Sequence, residues 1–566
     1  MRPATVSRLT MAVAALVCAL LALQPATARA ASYTKISGGG STWSSNALDQ
    51  WRRNVAANSG MTVNYSPVGS SVGREQFKNG TADFAVSEIP YGLTESGMRD
   101  APPKRGYAYM PIVAGGTAFM YNLRIGGRKV TNLRLSGEVI TKIFTGTLTM
   151  WNAPEIRADN PGLVLPARRI IPVVRSDGSG TTAQLTTWLA KEHSGLWDAY
   201  CRRAGRSTPC GMTSYFPVVP GSSTIAKSGS LGVSGYTKQG HAEGAITYVE
   251  YSYAIKTGFP VAKVLNASGY YVEPTASSVA VALMKARINE DKNSENYLTQ
   301  ILDGVYRSAD RRTYPLSSYS YMIVPTKAES PFTTAKGKTL GSFANYFLCE
   351  GQQQAEELGY SPLPKNLVEA GFTQVRRIPG APSADIDIKS CRNPTFSSDG
   401  SNTLARNAPY PKACDKRGTT QCADGTAGAK QQTRVNSGAD GGGSGGGTGG
   451  TGGTGGTGAA GGKGGAGTAG ASGGSTGTDG ASGAAAGGGA ASGAVDPDTG
   501  EPIEGSAGGG DASVVGNPVT LAAGGSPGLR GVLMALSAVL LLGVVVGPPL
   551  TARALAARNR RKEGPR

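Results

Sequence analysis

The chain has 566 residues, which is too long for one compact domain, and its formal net charge of +18 makes it strongly basic. Nucleic acid is the usual partner of a basic protein, but outside the two ends the positive charges are scattered, with no basic run of five or more. The charge therefore does not predict nucleic-acid binding, and the export signal at the N-terminus argues against that partner as well.

Residues 1–30 have the pattern of a secretory signal. Arg2 and Arg8 give a positive start, residues 10–23 are apolar but short for a bilayer span, and residues 28–30 read Ala-Arg-Ala, a small-x-small cleavage site. An N-terminal membrane anchor is the alternative, which the short apolar run disfavours. Cys18 follows Val17 within that run, not a small residue, so its position disfavours lipidation.

From residue 32 to about 380, strand-like and helix-like patterns alternate. The strand-like segments are 33–37, 62–68, 82–87, 170–174 and two strands around Gly115 and Gly116 within 108–123. Residues 38–40 predict a turn, and Ser41 is expected to cap the next helix, in which Trp43, Ala47, Leu48, Trp51 and Val55 fall on one face. Further helices are predicted from Ser136 and over 179–191. This alternation predicts an α/β architecture with largely parallel sheets and room for two domains.

Six cysteines remain once Cys18 leaves with the signal, and an even number in an exported chain predicts disulfides. Six cysteines allow fifteen pairings. The pairs favoured by proximity are Cys201–Cys210 and Cys414–Cys422, which leaves Cys349–Cys391. A zinc site is the rival interpretation, but there is no C-x-x-C pair, and His193 and His241 lack a ligand spacing, so no metal is predicted.

The chain after residue 435 has two parts of different composition. Residues 436–525 are mainly Gly, Ala, Ser and Thr, which predicts a disordered linker with a reach of roughly 50 Å for about 90 residues. Residues 531–550 carry no charge and precede a basic tail, 551–566, which predicts one transmembrane helix with a cytoplasmic C-terminus. A buried core helix or a cleaved GPI-type signal are the alternatives for residues 531–550.

Three segments each combine a strand, a loop of Gly, Ser and Thr, and a helix. They are residues 38–43, 69–73 and 175–182, which read GGGSTW, GSSVG and RSDGSGTT. Glycines allow a ligand to approach the backbone, helix N-termini offer free N–H donors, and hydroxyls add neutral donors. Because such loops lie at the carboxyl ends of strands in open α/β sheets, they predict a site for a tetrahedral oxyanion.

These loops belong to a longer set of pieces that resembles a known family. The pieces are GGGSTW (38–43), VNYSPVGSSVG (63–73), ADFAVSEIP (82–90), VVRSDGSGTT (173–182), EGAITYVEYSYA (243–254) and LGYSPLP (358–364). With these pieces in this order, the chain from about Lys35 to Glu369 resembles the PstS-type phosphate-specific substrate-binding proteins of ABC transporters.

The resemblance implies an α/β, two-lobed, periplasmic-binding-protein-like (type II) fold with a hinge. Residues 31–115 and 255–380 would form lobe 1, residues 116–254 would form lobe 2, and residues 381–435 would be a cysteine-containing extension. The protein would capture inorganic phosphate at the outer face of the cell membrane and deliver it to the permease subunits of an ABC importer. The resemblance implies neither a cofactor nor a catalytic residue.

The resemblance also implies which residues bind phosphate, with Asp177 holding Arg175 in place. They are Thr42, the backbone of Trp43, Ser70, Glu88, Arg175, Asp177, Ser179, Gly180 and Thr181. Glu88 stands where the family usually has Asp, and Trp43 where it usually has Phe. A carboxylate can accept a hydrogen bond from the P–OH of phosphate, which sulfate lacks, so Glu88 bears on anion selectivity. The alternative is a surface carboxylate beside Pro90.

Two other functions fit the same sequence. Residues 69–73 match the G-x-S-x-G pattern, so Ser71 would be a hydrolase nucleophile with His193 or His241 as its base. Short Gly-Ser patterns recur by chance, which weakens this interpretation. An adhesion protein or an anion sensor on the same fold would also use the tether, and the sequence does not separate these functions from import.

Overall fold

The structure, a computed structural model, describes residues 33–95, 98–382, 388, 391–397 and 399–431. The predicted signal (1–30), linker (436–525), membrane span (531–550) and basic tail (551–566) lie outside these residues. Within the described ranges, no helix combines the length and the apolar character that crossing a membrane requires.

The described residues form seventeen strands. They are β1 (Ile36–Gly40), β2 (Val63–Ser66), β3 (Phe84–Ser87), β4 (Thr94–Glu95), β5 (Met98–Arg99), β6 (Tyr107–Tyr121), β7 (Arg124–Ile125), β8 (Arg128–Lys129), β9 (Arg134–Leu135), β10 (Ile171–Arg175), β11 (Ile225–Lys227), β12 (Ala245–Glu250), β13 (Val261–Leu265), β14 (Tyr271–Val272), β15 (Arg287–Ile288), β16 (Gln300–Ile301) and β17 (Ser317–Pro325).

Thirteen α-helices lie between or after these strands in the same described ranges. They are α1 (Ser45–Ser59), α2 (Ser70–Lys78), α3 (Gly137–Phe144), α4 (Pro154–Asp159), α5 (Gly180–Glu192), α6 (Ser194–Arg203), α7 (Gly229–Thr237), α8 (Tyr251–Thr257), α9 (Ala276–Leu283), α10 (Asp303–Tyr306), α11 (Thr334–Leu348), α12 (Lys365–Val375) and α13 (Thr403–Arg406).

One sheet carries most of the strands, and it is mixed, not largely parallel as predicted. Its order is β11-β10-β12-β6-β17-β3-β1-β2, with β13 also beside β6. The outer pairs β1–β2, β1–β3, β10–β11 and β10–β12 are parallel, whereas β6 and β17 run antiparallel to their neighbours. We call β1, β2, β3 and β17 the first strand group and β10, β11, β12 and β13 the second.

Strand β6 joins the two groups and corrects the prediction of two strands around Gly115 and Gly116. It is one strand of 15 residues that pairs with β17 up to Gly116 and with β12 from Thr117 onward. A Cβ at Gly115 would lie 2.9 Å from the Trp43 ring, and one at Gly116 would lie 2.6 Å from Pro274. The two glycines therefore permit close packing at the crossing and do not form a turn.

The Gly-rich start of the domain is also strand and not turn. Gly38–Gly40 complete β1. A Cβ at Gly38 would lie 2.3 Å from the Phe84 ring, so this close strand pairing requires glycine at that position. A Cβ at Gly73 would lie 2.3 Å from the Cα of Gly40, so α2 packs directly against the end of β1. Helix α1 follows with the predicted face of Ala47, Leu48, Trp51 and Val55 buried.

The C-terminal extension packs on the loop before α12 and on strands β9 and β13. Asn393 Nδ2 donates to the Leu363 carbonyl, while the buried Arg134 donates to the carbonyls of Cys414 and Thr419. Lys263 of β13 pairs with Asp415 at 2.7 Å. Strand β13 also pairs with β6, at Phe119 and Met120.

Three disulfides lie within the described residues. Two are the pairs favoured by proximity in the sequence, and the remaining one is the pair that this choice left. They join Cys201 to Cys210, Cys349 to Cys391, and Cys414 to Cys422. The second joins the extension to the end of α11, and the third closes a loop of the extension itself.

Candidate functional site

The first strand group contributes three short segments to one buried location. Ser41 and Thr42 follow β1, Ser70 begins α2, and Glu88 follows β3 directly. All four side chains are buried. Because β1 and β3 are parallel neighbours, their carboxyl ends bring these segments to the same edge of the sheet.

The second strand group contributes matching segments. Arg175 ends β10, Ser179 is the N-cap of α5, and Gly180 and Thr181 open that helix. Ser179 Oγ accepts a hydrogen bond from the Thr182 N–H at 3.2 Å and so caps the helix. After the next parallel strand, β11, helix α7 begins at Gly229, and its N-cap Ser228 makes no side-chain hydrogen bond to the helix.

Direct hydrogen bonds join the two sets of segments. The Gly180 N–H donates to Ser70 Oγ at 3.2 Å, and the Ser71 N–H donates to the Gly178 carbonyl at 3.1 Å. Thr42 Oγ1 lies 2.8 Å from Ser230 Oγ. All nine sequence-predicted binding residues therefore lie in or beside one buried junction between the strand groups.

Arg175 and Asp177 form a two-point ion pair. Arg175 Nε donates to Asp177 Oδ1 at 2.7 Å, Nη2 donates to Oδ2, and the Gly229 N–H donates to Oδ1 at 2.9 Å. Burial opposes ionisation of Asp177, but the hydrogen bonds and charge of Arg175 outweigh it and lower the pKa of the carboxyl. The pair fixes the guanidinium plane, and the carboxylate offsets its charge.

Glu88 lies inside the junction and not on the surface beside Pro90, because its side chain is 1% exposed. Ser41 Oγ donates to the carboxylate, at 2.7 Å from Oε1 and 2.8 Å from Oε2, and Ser70 Oγ donates to Oε2 at 3.0 Å. Ser320 Oγ donates to Oε1. Glu88 therefore shares hydroxyl donors with the loops that the sequence assigned to the oxyanion.

Two more of the predicted binding residues, Thr181 and Trp43, also lie at this junction. Thr181 Oγ1 is buried and has no hydrogen-bond partner among the described residues. A buried hydroxyl without a partner is unfavourable unless a ligand or water completes it. The backbone N–H of Trp43 donates to Ser41 Oγ at 3.0 Å, and the Trp43 indole packs edge-on against Tyr360.

Sequence reasoning missed four serines of this junction. Ser41 was expected to cap α1, but that helix begins at Ser45 and the Ser41 hydroxyl binds Glu88. Ser230 repeats the strand, Gly-Ser loop and helix pattern after β11, so its signal was present. Ser44 and Ser320 carried no signal, since Ser320 lies within a strand far along the chain.

The hydrolase alternative requires a histidine base within hydrogen-bonding distance of Ser71. Ser71 Oγ donates to Ser214 Oγ at 3.2 Å. His193 packs on Trp188, and His241 packs on Tyr236. Among the contacts of the described residues, neither histidine is hydrogen-bonded to Ser71, so the G-x-S-x-G match does not correspond to a catalytic pair here.

Comparison with known proteins identifies the family. Residues 25–350 match the PBP superfamily domain. The phosphate-binding protein PstS of Xylella fastidiosa (strain Temecula1 / ATCC 700964) is 31% identical over 345 residues, which cover 61% of this chain and 86% of that protein. The chain belongs to the PstS family. This confirms the resemblance seen in the sequence pieces and the α/β periplasmic-binding-protein-like fold.

Further PstS relatives and solved structures match a similar length of the chain. Phosphate-binding protein PstS2 of Mycobacterium bovis (strain BCG / Pasteur 1173P2) is 31% identical over 332 residues, 58% of this chain and 82% of its own. A phosphate-binding protein from Stenotrophomonas maltophilia, solved by crystallography, has a TM-score of 0.45 and 17% identity, and covers 65% of this chain and 99% of that one.

Proposed function

We propose that the protein binds inorganic phosphate outside the cell membrane and delivers it to the permease subunits of an ABC importer. The observation that carries this proposal is the meeting of the N-termini of α2 and α5, the Arg175–Asp177 pair and the buried Glu88 at one junction. The PstS relatives, which are named phosphate-binding proteins, support the same function.

The donors at this junction suit an anion that is held mainly by neutral groups. Backbone N–H groups at helix N-termini and serine and threonine hydroxyls bind an oxyanion without a full counter-charge. Arg175 supplies the cation, but Asp177 already offsets its charge. With Glu88 also present, the residues around the junction do not favour an anion by net charge, and hydrogen bonding decides which anion is held.

Glu88 would give the site its selectivity. A carboxylate accepts a hydrogen bond from the P–OH that phosphate carries near neutral pH, whereas a sulfate dianion would meet that carboxylate with no proton to share. Glu88 is buried with its oxygens beside Ser41 and Ser70, so solvent does not screen such a repulsion. Binding in this way breaks no bond, and we assign the protein no enzymatic activity.

The two strand groups would act as the two lobes, with a hinge where β6 changes partners between Gly116 and Thr117.

The linker and the C-terminal span would tether the lobes to the membrane, with residues 551–566 in the cytoplasm. Fractionation of cells that express the chain ending at residue 530 tests this tether. Release of that shorter chain from membranes supports the tether, and retention would contradict it.

Calorimetric titration of the full-length protein with phosphate tests the binding proposal. R175A removes the cation of the junction and is expected to weaken phosphate binding by about a hundredfold or more. R124A is the matched control, because Arg124 is exposed and, among the described residues, its guanidinium bonds the Gly127 carbonyl of its own hairpin. No phosphate binding by the unaltered protein, or equal loss in both variants, would contradict the proposal.

A further inference from the structure

The two oxygens of the Glu88 carboxylate have different surroundings. Oε1 accepts a hydrogen bond from Ser320 and lies 3.3 Å from Ser44 Oγ, and the two serine hydroxyls are hydrogen-bonded to each other. Oε2 lies 3.0 Å from Ser70 Oγ and would be 1.8 Å from a Cβ on Gly180. Oε1 therefore points to the sheet, and Oε2 points to the start of α5.

Ser320 reaches Glu88 from β17, which is distant in the sequence from every loop of the site. It is 0% exposed, and the register between β17 and β6 shifts between Ser320 and Tyr321. Tyr321 lies opposite Pro111, which has no backbone N–H to donate to the ladder. The residue skipped by this shift is Ile112 of β6. On its other side β17 pairs with β3, where Tyr321 lies opposite Ser87, and this pairing brings Ser320 beside the carboxylate of Glu88.

The Glu88 side chain needs this support more than a shorter acid would. Glutamate has one more rotatable bond than aspartate, so holding its carboxylate in one place loses more conformational freedom. Ser44 bonds to Ser320, and Ser320 bonds to Oε1, which makes a short hydroxyl chain ending on one oxygen only. Hydroxyl chains of this kind strengthen one another in a buried environment.

We propose that Ser320 is a positioning residue for anion selectivity. With Ser44 behind it, Ser320 fixes Oε1, so that Oε2 faces the ligand and accepts the P–OH hydrogen bond. This inference rests on the proposed phosphate-binding function and deepens it, since it assigns the selectivity of Glu88 to a residue outside the binding loops. Without Ser320, the carboxylate would turn more freely and distinguish the two anions less well.

The test is a calorimetric titration of the full-length protein, purified in mild detergent, with phosphate and with sulfate. S320A is expected to lower the ratio of phosphate to sulfate affinity by about ten- to a hundredfold, the value of a hydrogen bond to a charged group. If S320A does not fold, S320C carries the test, because a thiol has a similar shape and donates poorly.

S318A is the matched control. Ser318 lies two residues away on the same strand, is equally buried, and its hydroxyl has no hydrogen-bond partner in the described part of the chain. Removing an unpaired hydroxyl is expected to change the affinity ratio by less than about twofold. An equal fall in S318A and S320A would overturn the inference, because it would indicate a general effect on the strand.

A double-mutant cycle with E88Q separates positioning from packing. If Ser320 acts through Glu88, S320A changes the ratio in the unaltered protein and adds nothing in the E88Q background. An unchanged ratio in S320A, or an equal fall with and without Glu88, would overturn the inference while phosphate binding itself persists. If the unaltered protein does not bind phosphate, that result would instead contradict the proposed function.

Discussion

At the scale of single residues, the junction relies on buried polar groups that satisfy one another. Arg175 meets Asp177 at two points, and Glu88 collects hydroxyls from residues that are far apart in the sequence. Each of these groups would be unfavourable if it were buried alone. The precision of the site therefore comes from pairs and chains of polar side chains, and a change to one member leaves its partner unsatisfied.

A second buried carboxyl, Glu250, gives a prediction for the pH dependence of stability. Its Oε2 accepts from the Ser252 N–H at 2.8 Å, whereas Oε1 has no hydrogen-bond partner among the described residues. Burial raises its pKa well above the ordinary value of 4.5. The folded protein then binds the proton more tightly than the unfolded chain, so this contribution to stability is complete below pH 4.5 and is lost as the pH rises.

E250Q removes this dependence, because glutamine does not ionise. Denaturant unfolding is expected to show the stability of E250Q rising relative to the unaltered protein above about pH 4.5, by up to about 1.4 kcal/mol per pH unit. E138Q is the opposite control, because a hydrogen bond from Lys142 lowers the pKa of the exposed Glu138. A constant difference between E250Q and the unaltered protein across the pH range would contradict the prediction.

Which site residues the sequence could predict depends on how local their signal is. Ser70, Arg175 and Gly180 lie in loops where a strand passes into a helix, and such loops are visible in the sequence as Gly-Ser-Thr runs. Ser320 lies in the middle of β17, and its contact with Glu88 depends on the pairing of β17 with β3, which are far apart in the sequence. Ser41 was assigned to the wrong partner, because a capping hydroxyl and a carboxylate-binding hydroxyl follow the same local pattern.

At the scale of elements, the start of α5 must approach the first strand group without a side chain. A Cβ on Gly180 would lie 1.8 Å from Glu88 Oε2 and 2.7 Å from Ser70 Oγ. The helix N-terminus can therefore come this close only with glycine at its first position. This contact explains why the loop reads Ser-Gly-Thr and not simply a run of good N-cap residues.

G180A is expected to displace the Glu88 carboxylate and to weaken phosphate binding by about a hundredfold, since one added methyl group has no room. G195A is the matched control, because Gly195 also lies in the first turn of a helix and a Cβ there meets no atom within 4 Å. The control is expected to be neutral or slightly stabilising. Calorimetry checks both, and phosphate binding retained in G180A would contradict this view of α5.

Strand pairing was less predictable than the helices. Helix α1 has the expected buried face, because a period of 3.6 residues is visible locally. The single long β6 and the antiparallel direction of β17 depend on partners more than 100 residues away, as in Gly116 opposite Ser317. A sequence gives each strand but not its partner, so a parallel sheet was predicted where the structure has a mixed one.

At the scale of the whole molecule, the candidate site lies where one continuous sheet passes from the first strand group to the second. Bonds such as Thr42 with Ser230 and Ser70 with Gly180 cross the junction, so an anion there would contact both groups. The extension contacts the second group, where Asp415 pairs with Lys263 of β13. An anion that binds at this junction would therefore stabilise the arrangement of the two groups relative to each other.

The central claim is that these residues select phosphate by its proton. Its most direct test is a calorimetric titration of the unaltered full-length protein with phosphate and with sulfate at neutral pH, after bound anion has been removed. The account predicts saturable phosphate binding with sulfate weaker by at least about a thousandfold, because only phosphate can donate to Glu88. Equal affinity for the two anions would contradict it.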